Sequence, residues 1–102
     1  MVHVIAFTKT KPGKRSEFID IFKKELMPET LKEKGCRQYL LAVDMDTNDP
    51  FQEKDENIVT TIETWESMDA LQEHLSSQHI KKFQKKAEGM TAGLSARILQ
   101  EA

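Results

Sequence analysis

Six of the eight residues in Ile58-Val-Thr-Thr-Ile-Glu-Thr-Trp65 are β-branched, and such a run packs well in a pleated sheet and poorly in a helix. It therefore reads as a strand, with Val59, Thr61, Glu63 and Trp65 on one face. A strand this apolar needs partner strands and a covering layer. The chain has 102 residues, enough for one domain that buries roughly two-thirds of its unfolded surface.

The rest of the chain supplies the partners in order. Val2 to Thr8 reads as a first strand, apolar on both faces, with Val2, Val4, Ala6 and Thr8 on one side and His3, Ile5 and Phe7 on the other. Lys11-Pro12-Gly13 breaks it. Phe18, Ile21, Phe22 and Leu26 then recur at helical spacing from about Lys14. Pro28 lacks an amide donor and must kink or restart this helix; Leu31 is expected to continue its apolar side, with Gly35 as a left-handed cap. Cys36 to Met45 reads as a second strand, and Asp44 to Asn57 as a long acidic loop, a candidate lid.

After Trp65, Ser67 is placed to cap a second helix with Asp69 in its first turn. Leu71, His74, Leu75 and Gln78 fall on one stripe. Ser76-Ser77 interrupts the pattern before Ile80, Phe83 and Ala87 resume it, Gly89 and Gly93 bracket a loop, and Leu94 to Leu99 forms the last strand. The order βαββαβ is that of an α+β, ferredoxin-like antiparallel sheet with helices on one face. The other, apolar face asks for a second sheet, and a two-fold homodimer supplies one.

Charge narrows the partners. Fifteen basic and seventeen acidic residues give a formal charge of −2 with no basic patch, so neither nucleic acid nor an anionic membrane surface is indicated. No apolar run is long enough to span a membrane and the N-terminus lacks signal-peptide features. One cysteine, Cys36, permits no internal disulfide and suits a reducing, cytoplasmic setting. The sequence contains no phosphate loop, GxGxxG, HExxH or GxSxG.

Chemistry-bearing side chains concentrate at Glu63-x-Trp65 and on the helix that follows. Glu63, His74 and His79 offer acid–base groups. The plainer alternatives stay open: Trp65 as a core plug, Glu63 paired with Arg97, His74 as a core histidine, His79 as a helix cap and Cys36 as a small buried hydrophobe. A metal site is not expected, because His74 and His79 are five apart and diverge by roughly 140° on a continuous helix, where paired ligands sit four apart; only the serine break would bring them closer.

Lys11-Pro-Gly13, Thr30-Leu-Lys-Glu-Lys-Gly-Cys36 with Tyr39, Glu63-Thr-Trp-Glu-Ser67, Leu71-x-x-His74-Leu75 with His79, and Ala96-Arg-Ile-Leu-Gln100 together resemble the antibiotic biosynthesis monooxygenase family, and within it the quinol monooxygenases. The resemblance implies a homodimeric α/β barrel that oxidises a hydroquinone- or polyketide-like aromatic with molecular oxygen, without flavin, haem or metal. It implies catalytic roles for His74, Glu63 and Tyr39, which would orient or deprotonate the substrate hydroxyls. Trp65 would form a pocket wall, and His79, Phe83 and Arg97 complete the candidate substrate-binding residues. A haem-degrading branch carries an Asn on the first strand, a Trp in place of His74 and a His near Gln84, none of which is present here. Two other readings remain at this level: a proton-transfer isomerase of a small phosphorylated dione, and a dimer that binds a small ligand without transforming it.

Overall fold

The computed structural model describes residues 1–102 as one four-stranded antiparallel sheet carrying its helices on one face. The strands are β1 (Val2–Thr10), β2 (Cys36–Ala42), β3 (Ile58–Trp65) and β4 (Thr91–Leu99), in the spatial order β2-β3-β1-β4. Between them lie α1 (Arg15–Ile21), a π-helical turn (Phe22–Leu26), α2 (Met27–Leu31), α3 (Met68–Leu75) and α4 (Gln78–Lys86). This is the ferredoxin-like α+β arrangement expected from the element order.

Register decides which side chains reach the helices. Val4 opposes Glu63 and Ile98, Ala6 opposes Thr61 and Ala96, and Tyr39 opposes Glu63 across β2 and β3, so these residues share the helix-facing side. Val59 and Trp65 on that side are fully buried. The core continues into Phe18, Phe22, Leu26, Leu71, Ile80 and Phe83, and Phe22 stacks on Tyr39 with ring centroids 5.6 Å apart.

Pro28 acts earlier than expected. It has no N–H for the Lys24 carbonyl, and the helix widens just before it, so that the Met27 amide bonds Phe22 O, five residues back. The wider turn still buries both Phe22 and Leu26, and Thr30, not Leu31, continues the buried face: Thr30 is fully buried while Leu31 is 56% exposed.

Three local expectations are corrected. Gly35 is not a left-handed cap, since only Gly13 and Gly89 have positive φ. Its small size serves close packing instead: a Cβ there would stand 2.4 Å from the Ala70 Cβ on α3. Gly93 lies inside β4, which begins at Thr91 with a bulge opposite Lys9 and Thr10. Leu75 is half exposed, and Gln78 opens α4 rather than closing the stripe of α3. The strand after Gly35 ends at Ala42, and the acidic loop beyond it is tied back by an ion pair between Asp55 and Lys9 on β1. No helix is long and apolar enough to cross a membrane.

Candidate active site

A cavity of about 510 Å³ lies between the sheet and the helices. Val4, Ala6, Thr61 and Glu63 form its floor, Phe22, Leu71 and Phe83 its helical wall, and Leu94, Ala96 and Ile98 of the exposed edge strand β4 its outer side. Tyr39 and His74 also line it. The charged groups on its lining are Glu63 and Glu88, with no lysine or arginine.

Glu63 is 7% exposed and pairs with no cation. Its two oxygens accept from the Trp65 indole N–H at 2.9 Å and the Thr61 hydroxyl at 3.0 Å. All three residues alternate along one face of β3, so the strand itself builds the acceptor and its two donors. This replaces the pairing with Arg97: that residue opposes Ile5 on the far face of the sheet and does not line the cavity.

Tyr39 is buried beside this carboxylate. Burial pushes its phenol well above the ordinary value of 10.0, and the Glu63 charge adds to the rise. The nearby Thr30 hydroxyl works against it but falls outside hydrogen-bond geometry, leaving Thr30 Oγ1 as the one sealed side-chain polar atom without a partner. Near neutral pH Tyr39 is a phenol that can donate a hydrogen bond. It is not a base.

His74 is 2% exposed, on the inner face of α3. Its ring lies 4.5 Å from Trp65 and 5.4 Å from Tyr39, centroid to centroid. Nδ1 is 2.6 Å from Glu33 Oε2. His79 reaches the same oxygen through Nε2 at 2.9 Å. The helix break makes this possible. Ser77 caps α4 by accepting from the Ile80 amide, and its hydroxyl donates to the His74 carbonyl at 2.7 Å, so α4 starts in a new direction and the two histidines no longer diverge.

Glu33, His74 and His79 hold their ligand-type atoms within 4.8 Å of one another. One Glu33 oxygen lies at hydrogen-bond distance from both rings, 2.6 Å from His74 Nδ1 and 2.9 Å from His79 Nε2. A carboxylate oxygen so placed can accept from an N–H of each ring.

Among the candidates, Glu63, Tyr39, His74 and Phe83 therefore meet in one cavity. Trp65 stands one layer behind it, fully buried, holding Glu63 and backing His74. His79 lies off the cavity against Glu33, and Arg97 is on the other face. Sequence reasoning missed Glu33, which in isolation is one acid in a charged turn, and Thr61, whose strand alternation with Glu63 was the available signal.

The model of the family described as antibiotic biosynthesis monooxygenase matches residues 1–86. The chain belongs to the antibiotic biosynthesis monooxygenase family. The "Probable quinol monooxygenase YgiN" of Escherichia coli strain K12 is 36% identical over 102 residues, covering 98% of this chain and 97% of that protein. Among solved structures, a conserved protein from Methanosarcina mazei Go1 superposes with a TM-score of 0.83 at 26% identity, covering 99% of this chain and 92% of that one. A Pseudomonas aeruginosa protein gives a TM-score of 0.81 at 23% identity, covering 99% and 93%. For a member of this monooxygenase family, the cavity described above is the candidate active site.

Proposed function

We propose that this family member is a monooxygenase that oxidises a neutral, quinol-like aromatic with molecular oxygen, the substrate itself supplying the electrons. The observation that carries the reading is the cavity: apolar on most sides, roomy enough for a fused aromatic, and equipped at one end with His74, Glu63 and Tyr39. The 36% identity to the probable quinol monooxygenase supports the substrate class.

In this reading Tyr39 donates a hydrogen bond to one substrate oxygen and Glu63 accepts one from a hydroxyl. His74 Nε2 removes a phenolic proton, which raises the electron density of the ring toward oxygen. A quinol plus O₂ then gives a hydroxyquinone plus water: two electrons come from the quinol and two from the hydroxylated C–H position, and no cofactor is needed to balance them. A phosphorylated dione fits less well, because the charged lining groups are carboxylates and would repel a phosphate.

A second copy of the chain is part of the proposal. Phe7, Leu40 and Leu99 are 37%, 46% and 37% exposed on the sheet face that carries no helices, and Ile5 and Ile62 lie beside them. An apolar sheet face of this kind is covered by a partner in stable proteins, and two such sheets face to face make the dimeric α/β barrel. Oxygen consumption with chemically reduced naphthoquinones tests the activity: a rate well above the buffer control is expected, and equality with the control contradicts the reading. Mass in solution at micromolar concentration tests the dimer, which a clean monomer would overturn.

A further inference from the structure

His74 is the proposed base, yet its ring would be useless for that task in the wrong tautomer. A neutral imidazole carries one proton, and the nitrogen that holds it is set by the hydrogen bond the other atoms make. Here Nδ1 faces Glu33 Oε2 at 2.6 Å. A carboxylate oxygen only accepts, so Nδ1 must carry the proton and Nε2 is left with its lone pair.

The surroundings of Nε2 point the same way. It makes no hydrogen bond within the chain, and it is not sealed in the dry core either, since Thr30 Oγ1 is the single buried side-chain polar atom without a partner. The free nitrogen of a cavity-lining residue therefore meets the cavity. We propose that Glu33 is a positioning residue for His74: it fixes the Nδ1–H tautomer, aims Nε2 at the substrate, and balances the positive charge that the ring gains on taking the substrate's proton. His79 braces the arrangement by donating to the same Glu33 oxygen at 2.9 Å. The proposal rests on the reading of His74 as base.

Only protons move in the step. The substrate O–H bond breaks, an Nε2–H bond forms, the Nδ1 proton stays in place, and the imidazolium stands against the Glu33 carboxylate. The fold invests in holding Glu33 where this works. Its turn is closed by the Glu33 amide bonding Thr30 O at 3.0 Å and the Cys36 amide bonding Glu33 O at 3.1 Å. The same turn is clamped to the start of α3 by the Glu66 amide on Gly35 O at 2.9 Å, by the ion pair between Arg37 and Glu66, and by the contact of Gly35 with Ala70. Base and positioning carboxylate thus sit on two elements that cannot easily drift apart.

Long-range ¹H–¹⁵N NMR of the uniformly labelled full chain reads each histidine's tautomer directly, with His74→Gln and His79→Gln giving the assignments. The wild type is expected to show His74 protonated at Nδ1 and bare at Nε2. In Glu33→Ala the His74 signals should move toward the Nε2–H form that a free side chain prefers, and kcat for quinol oxidation should fall roughly 10- to 100-fold, part of the 10²–10⁴ that a general base supplies, with KM changed by less than about twofold. Glu33→Gln keeps an acceptor oxygen and should retain the tautomer while recovering only part of kcat. A wild-type His74 protonated at Nε2 overturns the proposal even if both Glu33 variants misfold, as does an unchanged tautomer in a folded Glu33→Ala. The expected tautomer in a protein that turns over no quinol supports the positioning geometry and overturns the oxygenase reading instead.

Discussion

The Trp65 indole N–H donates to Glu63 Oε1 at 2.9 Å, from two positions further along the same face of β3. The pairing turns the largest fully buried side chain into the support of a carboxylate at the cavity. Trp65→Phe keeps most of the apolar bulk but removes the donor, leaving Glu63 with Thr61 alone. Hydrogen bonds to charged groups contribute about 1.5–3 kcal/mol, so we expect a loss of about 2–3 kcal/mol in urea unfolding followed by circular dichroism, together with weaker quinol binding. A change below about 0.5 kcal/mol would show that the bond does not hold the carboxylate.

Gly35 and Ala70 form the closest packing point between the Glu33 turn and α3. Gly35→Ala would put two Cβ atoms 2.4 Å apart, and overpacking of this kind costs typically 1–3 kcal/mol. The variant should lose stability in that range and also activity, because α3 carries His74 away from Glu33. Adding Ala70→Gly reopens the space at a helix-propensity cost of about 1 kcal/mol, so the double variant should recover activity although each change alone is unfavourable. Additive losses would contradict the contact.

The chain has one tyrosine, so its ultraviolet titration reports Tyr39 alone. Burial, then the Glu63 charge, holds the native phenol above its ordinary 10.0. Below pH 10 both folded and unfolded chains keep the proton and stability is unaffected; above it only the unfolded chain releases it, so stability falls as pH rises through that point. Tyrosinate absorbance should accordingly appear together with alkaline unfolding. An ordinary titration near pH 10 in the folded protein would place Tyr39 in water.

Cys36 is held above its ordinary 9.0 by burial first, then by the Glu33 and Glu63 charges, against a hydrogen bond to the Gln38 carbonyl. Thiolate is the reactive form. Iodoacetamide at pH 7.5 should modify the native protein at least about 10-fold more slowly than the urea-unfolded chain, and equal rates would remove the basis for treating Cys36 as a half-buried structural residue.

The fold was legible because its signals are local: the β-branched run ending at Trp65, the proline at 28, the Ser67 cap that indeed accepts from the Ala70 amide at 3.1 Å. That Glu63, Tyr39, His74 and Phe83 line one cavity was legible because strand alternation and helical spacing point them to one layer. Arg97 was misjudged because β4 is an exposed edge whose Ala, Gly and Ser positions blur the alternation that assigns faces. Trp65 is fully buried, as its core-plug alternative had it, and its indole bonds Glu63, while His79 lies against Glu33 and off the cavity. Glu33 itself was not singled out, since its meaning depends on partners 41 and 46 positions further along the chain and on a serine break that redirects a helix. A direction change between two helices is a tertiary fact, and residue spacing does not encode it.

The most direct test of the central claim is a single-turnover incubation of the protein with a reduced naphthoquinone under ¹⁸O₂, followed by mass spectrometry of the product and a parallel anaerobic control. One ¹⁸O atom in a hydroxyquinone product, formed only with oxygen and lost in His74→Ala, is the predicted result. A product without label, or turnover that proceeds unimpaired without oxygen, would contradict the monooxygenase account.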